Sequence, residues 1–336
     1  MHEARQYEKL ANNAVKCSLC NHRCTISDGK HGICGVRWNE HGVLDAKTYA
    51  KISAEAVDPI EKKPLFHYLP GTLSYSLGSI GCNFHCKHCQ NWHISRATLE
   101  EARLRTLPPE EGVKRALVSR SASIAWTYNE PTIWHEYALD MGTLARKAGL
   151  GTIYVTNGYI TEEALRELAP MLGAFRVDIK AFTDEFYKKT CGARLQPVLD
   201  SAELARELGM HVETVTLVIP GLNDSMEEQT ALIRWVIEHL GPDTPMHFSA
   251  FHPDYQMTDR NATPVATLEK IYDKAKELGL KFPYLGNVYH HPYENTYCPA
   301  CGAVLIERHG FSCGLKGLDG QQCSGCGEHI EMVRHV

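Results

Sequence analysis

No stretch of this 336-residue sequence is both long enough and apolar enough to span a bilayer. The opening residues, MHEARQYEKL, offer neither an apolar core nor a small-residue cleavage site, so no secretory signal is expected. Neither charge sign is in strong excess: 35 Lys and Arg face 40 Asp and Glu, a net charge of −5. Such a balance gives no general attraction to phosphate backbones or anionic lipid, which argues against nucleic acid and membrane as partners. There is no repeat at a fixed period and no low-complexity tract. These absences leave a cytoplasmic globular protein as the expectation. What the sequence does have is cysteine, thirteen in all, beside eighteen histidines. Twelve of the cysteines fall in three segments, with Cys191 apart. Where thiols stay reduced, clustering of this kind indicates metal binding rather than disulfides.

Three regions differ in composition. Residues 1–71 hold the first cysteine group and end in DPIEKKPLFHYLPG, where Pro59, Pro64, Pro70 and Gly71 suggest an extended connector. Residues 72–290 alternate short β-branched or aromatic runs with helix-period stretches. Strands are expected at 73–79, 123–128, 152–157, 175–180, 212–219, 246–251 and 282–287. Between 133 and 148, Trp134, Tyr137, Ala138, Met141, Ala145 and Ala148 return on one helical face, with Gly149 as the stop. Ser225 and Glu228 have the spacing of a capping box. Nearly all-apolar strands, each followed by a helix, predict an α/β fold built as a full or partial (β/α) parallel barrel. Residues 291–336 form a separate C-terminal module. In such barrels chemistry gathers at the C-terminal ends of the strands.

The segment GCNFHCKHCQNW places Cys82, Cys86 and Cys89 directly after the first expected barrel strand. Three thiolates from one loop can hold three irons of a [4Fe–4S] cube, leaving the fourth iron open. An open position lets a metal centre bind a substrate instead of only supporting structure. A structural zinc site, with His85 or His88 as fourth ligand, is the plainer alternative.

These residues resemble the radical S-adenosylmethionine (SAM) superfamily, in the group related to pyruvate formate-lyase activating enzymes. The resemblance is closest to the AmmeMemoRadiSam family, through DPIEKKPLFHYLPG, CNFHCKHCQNW, TYNEPT and GNVYHHPYENTYCPACG. It reaches from about residue 17 to the C-terminus. It implies a [4Fe–4S] cluster on Cys82, Cys86 and Cys89, completed by SAM, and SAM contacts on successive strand ends. By that resemblance Asn129 and Glu130 stand in the family's Gly-Gly-Glu-Pro position, with Tyr128 and Asn129 replacing both glycines. Thr156 and Asn157 look like the ribose and methionine contacts, Asp178 and Lys180 like the strand-four pair, and His252 like a late-strand histidine near the nucleoside. His88 replaces the aromatic residue usual before the last cluster cysteine. Read alone, Asn157–Gly158 is also a plain turn, and Asp178 with Lys180 a structural ion pair.

At the C-terminus Cys298, Cys301, Cys323 and Cys326 form two CxxC knuckles around a ribbon strand in VLIERHGF, the pattern of a closed structural zinc ribbon. A rubredoxin-type iron site uses the same ligands, and Cys313 reads as a packed thiol. At the N-terminus Cys17, Cys20, Cys24 and Cys34 can close a zinc site or hold an auxiliary [4Fe–4S] cluster, since both accept four thiolates. Gly35 and the polar loop suggest the zinc knuckle. Lys62 and Lys63 face the active site, bind a partner or are simply solvated. His290 and His291 read as proton-transfer or surface groups, and Cys191 as a redox-active or a buried thiol.

The expected protein is an enzyme that cleaves SAM to methionine and a 5′-deoxyadenosyl radical, which takes hydrogen from a substrate. The resemblance implies an electron donor such as flavodoxin or ferredoxin. It also implies either a glycyl-radical protein as substrate, or a small molecule with Memo-like and AMMECR-like partners. A noncatalytic metal-binding scaffold and a simple electron-transfer protein remain the alternatives; neither needs SAM.

Overall fold

The computed structural model describes residues 1–288 and 291–336. Seven strands run parallel and side by side in chain order: β2 (Leu73–Gly78), β3 (Ser123–Trp126), β4 (Gly151–Thr156), β5 (Ala174–Asp178), β6 (His211–Val218), β7 (Met246–Ala250) and β8 (Pro283–Gly286). The edge strand β1 (Ala54–Pro59) pairs antiparallel with β2. A helix crosses between each parallel pair: α1 (Pro109–Val118), α2 (His135–Lys147), α3 (Glu162–Leu168), α4 (Gln196–Glu207), α5 (Met226–Trp235) and α6 (Val265–Glu277). Strands such as β3, buried at every residue, need apolar cover on both faces, and the helices supply one of them. Among the described residues β1 and β8 do not pair with each other, so the sheet is an open, partial barrel.

All seven expected strands are present, but several stop early. Strands expected to reach 128, 157 and 180 end at Trp126, Thr156 and Asp178. The residues beyond run as loops over the C-terminal edge of the sheet. The helix expected at 133–148 begins as a 3-10 turn (Pro131–Trp134) before α2. Trp134, Tyr137, Ala138, Met141 and Ala145 are buried, whereas Ala148 caps the end and is exposed. Gly149 follows at φ +74°, a left-handed stop that glycine adopts freely. Ser225 accepts the backbone N–H of Glu228, but the Glu228 carboxylate accepts from Phe182 N at 2.7 Å instead of reaching back. Only half of the capping box forms.

The segment expected to be a connector is a plug. After β1, residues 60–69 cross the starts of the barrel strands, and the Tyr68 hydroxyl lies 2.9 Å from where a Cβ on Gly151 would stand. The Glu213 carboxylate in β6 is fully buried and accepts Phe66 N, His67 N, His211 and His247. The C-terminal module fastens onto the same plug. Its strands β9 (Val304–His309) and β10 (Ser312–Leu315) form a hairpin. Arg308, 1% exposed, donates to Phe66 O at 2.9 Å and stacks over the Phe66 ring. Val333 exchanges backbone hydrogen bonds with His67 and Leu69.

Burial pushes the His67 imidazole down to about 4, while its ring nitrogens meet Glu331 O and the Tyr284 hydroxyl. Unfolded histidine takes up its proton near pH 6.5, so the folded state binds fewer protons between about 6.5 and 4. Stability is therefore expected to fall as pH drops through that window, by on the order of 3 kcal/mol from this residue. Urea midpoints measured across pH 4–8 should show this slope, and His67→Phe should flatten it. An unchanged slope would mean His67 is protonated in the fold.

Candidate active site

The turn after β2 carries the three central cysteines to the C-terminal mouth of the sheet. Cys82, Cys86 and Cys89 line one cavity of about 540 Å³ with Asn129, Glu130, Thr156, Asn157, Asp178 and Lys180. Nine of the ten sequence-predicted residues of this centre are thus brought together. His252 is the exception: it is exposed, off the cavity lining, and its Nε2 meets Gln90 Nε2 at 2.9 Å. The strand after its expected end turns outward, and Ser249 and Asn287 take the late-strand places on the wall.

Hydrogen-bond donors surround the cysteine sulfurs. Cys82 Sγ accepts Phe84 N at 3.3 Å and Asn157 Nδ2 at 3.8 Å. Asn83 Nδ2 and His88 Nδ1 are buried without a partner of their own. Burial, reinforced by Lys180, lowers His88 to about 3, so its ring is neutral. Burial also pushes the Cys82 thiol well above its ordinary value, as a free thiol; metal binding would displace that proton. N–H groups directed at a cysteine sulfur, with further buried polar nitrogens on the same loop still unpartnered, are what a thiolate-bound cluster can satisfy. The donor set fits a [4Fe–4S] cluster.

Glu130 is the brace of the mouth. Its carboxylate accepts Thr132 N at 3.0 Å, Thr156 Oγ1 at 2.6 Å and Asn157 N at 2.8 Å, tying the end of β3 to that of β4. Asn157 Nδ2 then donates to Asn83 Oδ1 at 2.8 Å, beside Cys82. Asn129 holds the base of the cysteine loop: its Oδ1 accepts Ser79 N, and its Nδ2 donates to Gly81 O. Tyr128 sits at φ +72°, a left-handed backbone that is uncommon for a bulky side chain. Its hydroxyl donates to Asp58 at 2.6 Å, one of the contacts holding this uncommon conformation.

Asp178 and Lys180 both face the cavity and pair at 3.0 Å, with Arg176 on the other carboxylate oxygen. Burial disfavours the Lys180 charge, but Asp178 and Cys86 outweigh it and hold the ammonium above its usual range. Lys62 and Lys63 also line the cavity, each bonded to Asp58. Burial lowers Lys63 to about 8 against the pull of Asp58. Lys62 and Lys63 thus face the site, one of the alternatives expected for them, whereas Arg176, two residues before the end of β5, was not singled out from the sequence. Cys191 is buried behind the cysteine loop, where its carbonyl accepts His85 N at 2.8 Å. His291 pairs with Glu269 away from the cavity, and His290 lies outside the described residues.

The terminal cysteines differ in scale. Cys298 and Cys326 sulfurs are 3.6 Å apart, and Cys301 and Cys323 are 3.7 Å apart. Ligands 2.3 Å from one tetrahedral ion stand about 3.8 Å from each other. Cys313 lies outside this group, against Gly71.

The sequence profile of the radical SAM superfamily matches residues 77–232, which span the cysteine loop and β3 through β6. An uncharacterized protein of Methanocaldococcus jannaschii, MJ0808, is 46% identical over 335 residues, 99% of this chain and 100% of that one. This chain belongs to the radical SAM superfamily. Part of the chain is also similar to the isethionate sulfite-lyase activating enzyme of Desulfovibrio desulfuricans, 28% identical over 109 residues, 32% of this chain and 35% of that enzyme. Among solved structures, SuiB of Streptococcus suis bound to S-adenosylmethionine aligns with a TM-score of 0.51 at 15% identity, over 68% of this chain and 55% of that one. A radical SAM methyltransferase from Sphaerobacter thermophilus aligns with a TM-score of 0.50 at 15% identity, covering 70% and 71%. Those two likenesses concern the fold. As a superfamily member the chain is of an enzyme class whose fold implies a [4Fe–4S] cluster and SAM. No helix among the described residues is long and apolar enough to cross a membrane.

Proposed function

We propose that the chain reductively cleaves SAM at Cys82, Cys86 and Cys89 and takes hydrogen from a substrate held in the same cavity. The observation that carries this reading is the convergence of three cysteines of one loop with the ends of β3, β4 and β5 on one cavity. Bound there, a [4Fe–4S] cluster and SAM supply a 5′-deoxyadenosyl radical and methionine. The chain's own residues do the holding. Asn157 and Phe84 N direct N–H groups at Cys82, and Glu130 fixes Thr156 and Asn157. Lys62, Lys63, Arg176 and Lys180 outnumber Glu130 and Asp178 on the lining, a positive surface suited to carboxylate.

The likeness to an activating enzyme supports a partner enzyme as substrate; the sequence motifs' resemblance to activating enzymes makes a glycyl-radical protein the proposed form of it, with a flavodoxin or ferredoxin as the proposed electron donor. The AmmeMemoRadiSam resemblance supports the second reading, a small molecule handled with Memo-like and AMMECR-like partners. The terminal cysteine tetrahedron is proposed to hold a structural zinc, because its four thiolates close the shell.

The test is anaerobic: reconstituted protein, SAM and a strong reductant, with 5′-deoxyadenosine and methionine measured. Product is expected from the natural protein and should fall at least about a hundredfold in Cys86→Ala, since one iron loses its ligand. A fully loaded cluster that neither binds nor cleaves SAM, with candidate partners added, would return the protein to the scaffold or electron-transfer alternatives.

A further inference from the structure

Away from the cavity, Cys17, Cys20, Cys24 and Cys34 line a second, small and enclosed hollow, walled by Leu19, Ile26 and Ile133. Arg37 reaches into it and is 1% exposed. One of its terminal nitrogens, Nη2, is paired with Glu136 at 2.5 Å. Nε and Nη1 are buried with no partner. A guanidinium with unmet donors in an apolar hollow is costly, and neutral thiols answer it poorly. Thiolates around a metal would meet it, because a metal–thiolate centre of this kind carries net negative charge.

Sulfur spacing distinguishes one ion from several. The terminal four cysteines are drawn to the edge length of a single-ion tetrahedron. Among the described residues, no three of Cys17, Cys20, Cys24 and Cys34 have sulfurs mutually within 4.8 Å, and the same holds for Cys82, Cys86 and Cys89. Thiolates stand wider apart when each holds a different iron of a shared core. We propose that Cys17, Cys20, Cys24 and Cys34 hold a second [4Fe–4S] cluster, with Arg37 as its buried counter-charge. This reverses the zinc knuckle suggested by Gly35 and the polar loop.

The second centre adjoins the first. The Cys34 carbonyl lies 2.6 Å from where a Cβ on Gly81 would stand, next to Cys82. His22 Nε2, on the hollow's wall, is 2.8 Å from the carbonyl of Asn83.

Iron, sulfide and zinc counts on anaerobically reconstituted full-length protein test this without SAM, so they are independent of the cleavage reading. About eight irons per chain are expected, falling to about four in a Cys82→Ala/Cys86→Ala/Cys89→Ala variant, with a reduced-cluster EPR signal retained. Adding Cys17→Ser/Cys24→Ser to that variant should remove the remaining iron, since only two thiolates are left, and leave the terminal zinc at about one per chain, a check that the fold is intact. In the otherwise natural protein, Cys17→Ser/Cys24→Ser should by itself lower iron from about eight to about four. Natural protein with about four irons and two zincs, or about four irons surviving Cys17→Ser/Cys24→Ser in the triple-alanine variant, would overturn the assignment.

Discussion

Glu130→Ala is expected to lower 5′-deoxyadenosine formation at least about a hundredfold and to destabilise the fold by about 3 kcal/mol. The carboxylate is 2% exposed and accepts three hydrogen bonds from the ends of two strands. Alanine would leave Thr132 N and Asn157 N without an acceptor in a buried place. The loss should pass to the metal loop, because Asn157 bonds both Asn83 and the Cys82 sulfur. Glutamine keeps the shape but presents an N–H to one side where only donors stand. It should fall between the two, at roughly tenfold loss, set by one bond instead of three. Burial raises the Glu130 pKa against those bonds, so the hydrogen bonds are what keep a carboxylate acceptable there. The measurement is anaerobic product formation beside urea unfolding and iron content. Natural cleavage rates in Glu130→Ala would show that Thr156 and Asn157 hold their places unaided.

Glu213→Ala should be the more damaging change to stability, at about 3–5 kcal/mol, with loss of the docked C-terminal segment. Two backbone N–H groups and two histidines converge on this one buried carboxylate. Against the cost of burial, His211 and His247 hold its pKa far below the usual carboxylate range. Removing it frees Phe66 and His67, and with them the residues that Arg308 and Val333 grip. A lower urea midpoint together with faster proteolysis near residue 333 is expected; a wild-type midpoint would contradict the role given to Glu213.

The sheet was legible because every parallel strand is an apolar run bounded by a turn and followed by a helix. The exact reach of the strands was not, since Thr127–Glu130 and Ile179–Lys180 continue the same residue types after the ladder ends. The cysteine loop was readable by spacing, whereas the strand-end residues were expected only through the resemblance to the radical SAM superfamily. His252 lies exposed beside Gln90, off the cavity lining, because its exposure depends on how the chain turns after Ala250, which the local pattern does not encode. The plug was hidden for a different reason. In DPIEKKPLFHYLPG the prolines look like a linker, yet Leu65, Phe66 and Tyr68 are buried by distant partners such as Glu213 and Arg308. Only tertiary contact distinguishes those readings. Tyr128 was hidden in the same way: its left-handed backbone, at φ +72°, is braced by its hydroxyl bond to the distant Asp58.

The bottom closure also sets an order on biosynthesis. Each barrel strand pairs with its neighbour in the chain, so the sheet can grow strand by strand as the polypeptide emerges. His67, by contrast, meets Glu331, 264 residues later. The plug is made early, and its outer edge cannot pair until residues 331–333 have been made. The contact of residues 331–333 with the plug is therefore a clasp that joins segments more than 260 residues apart across the bottom of the barrel.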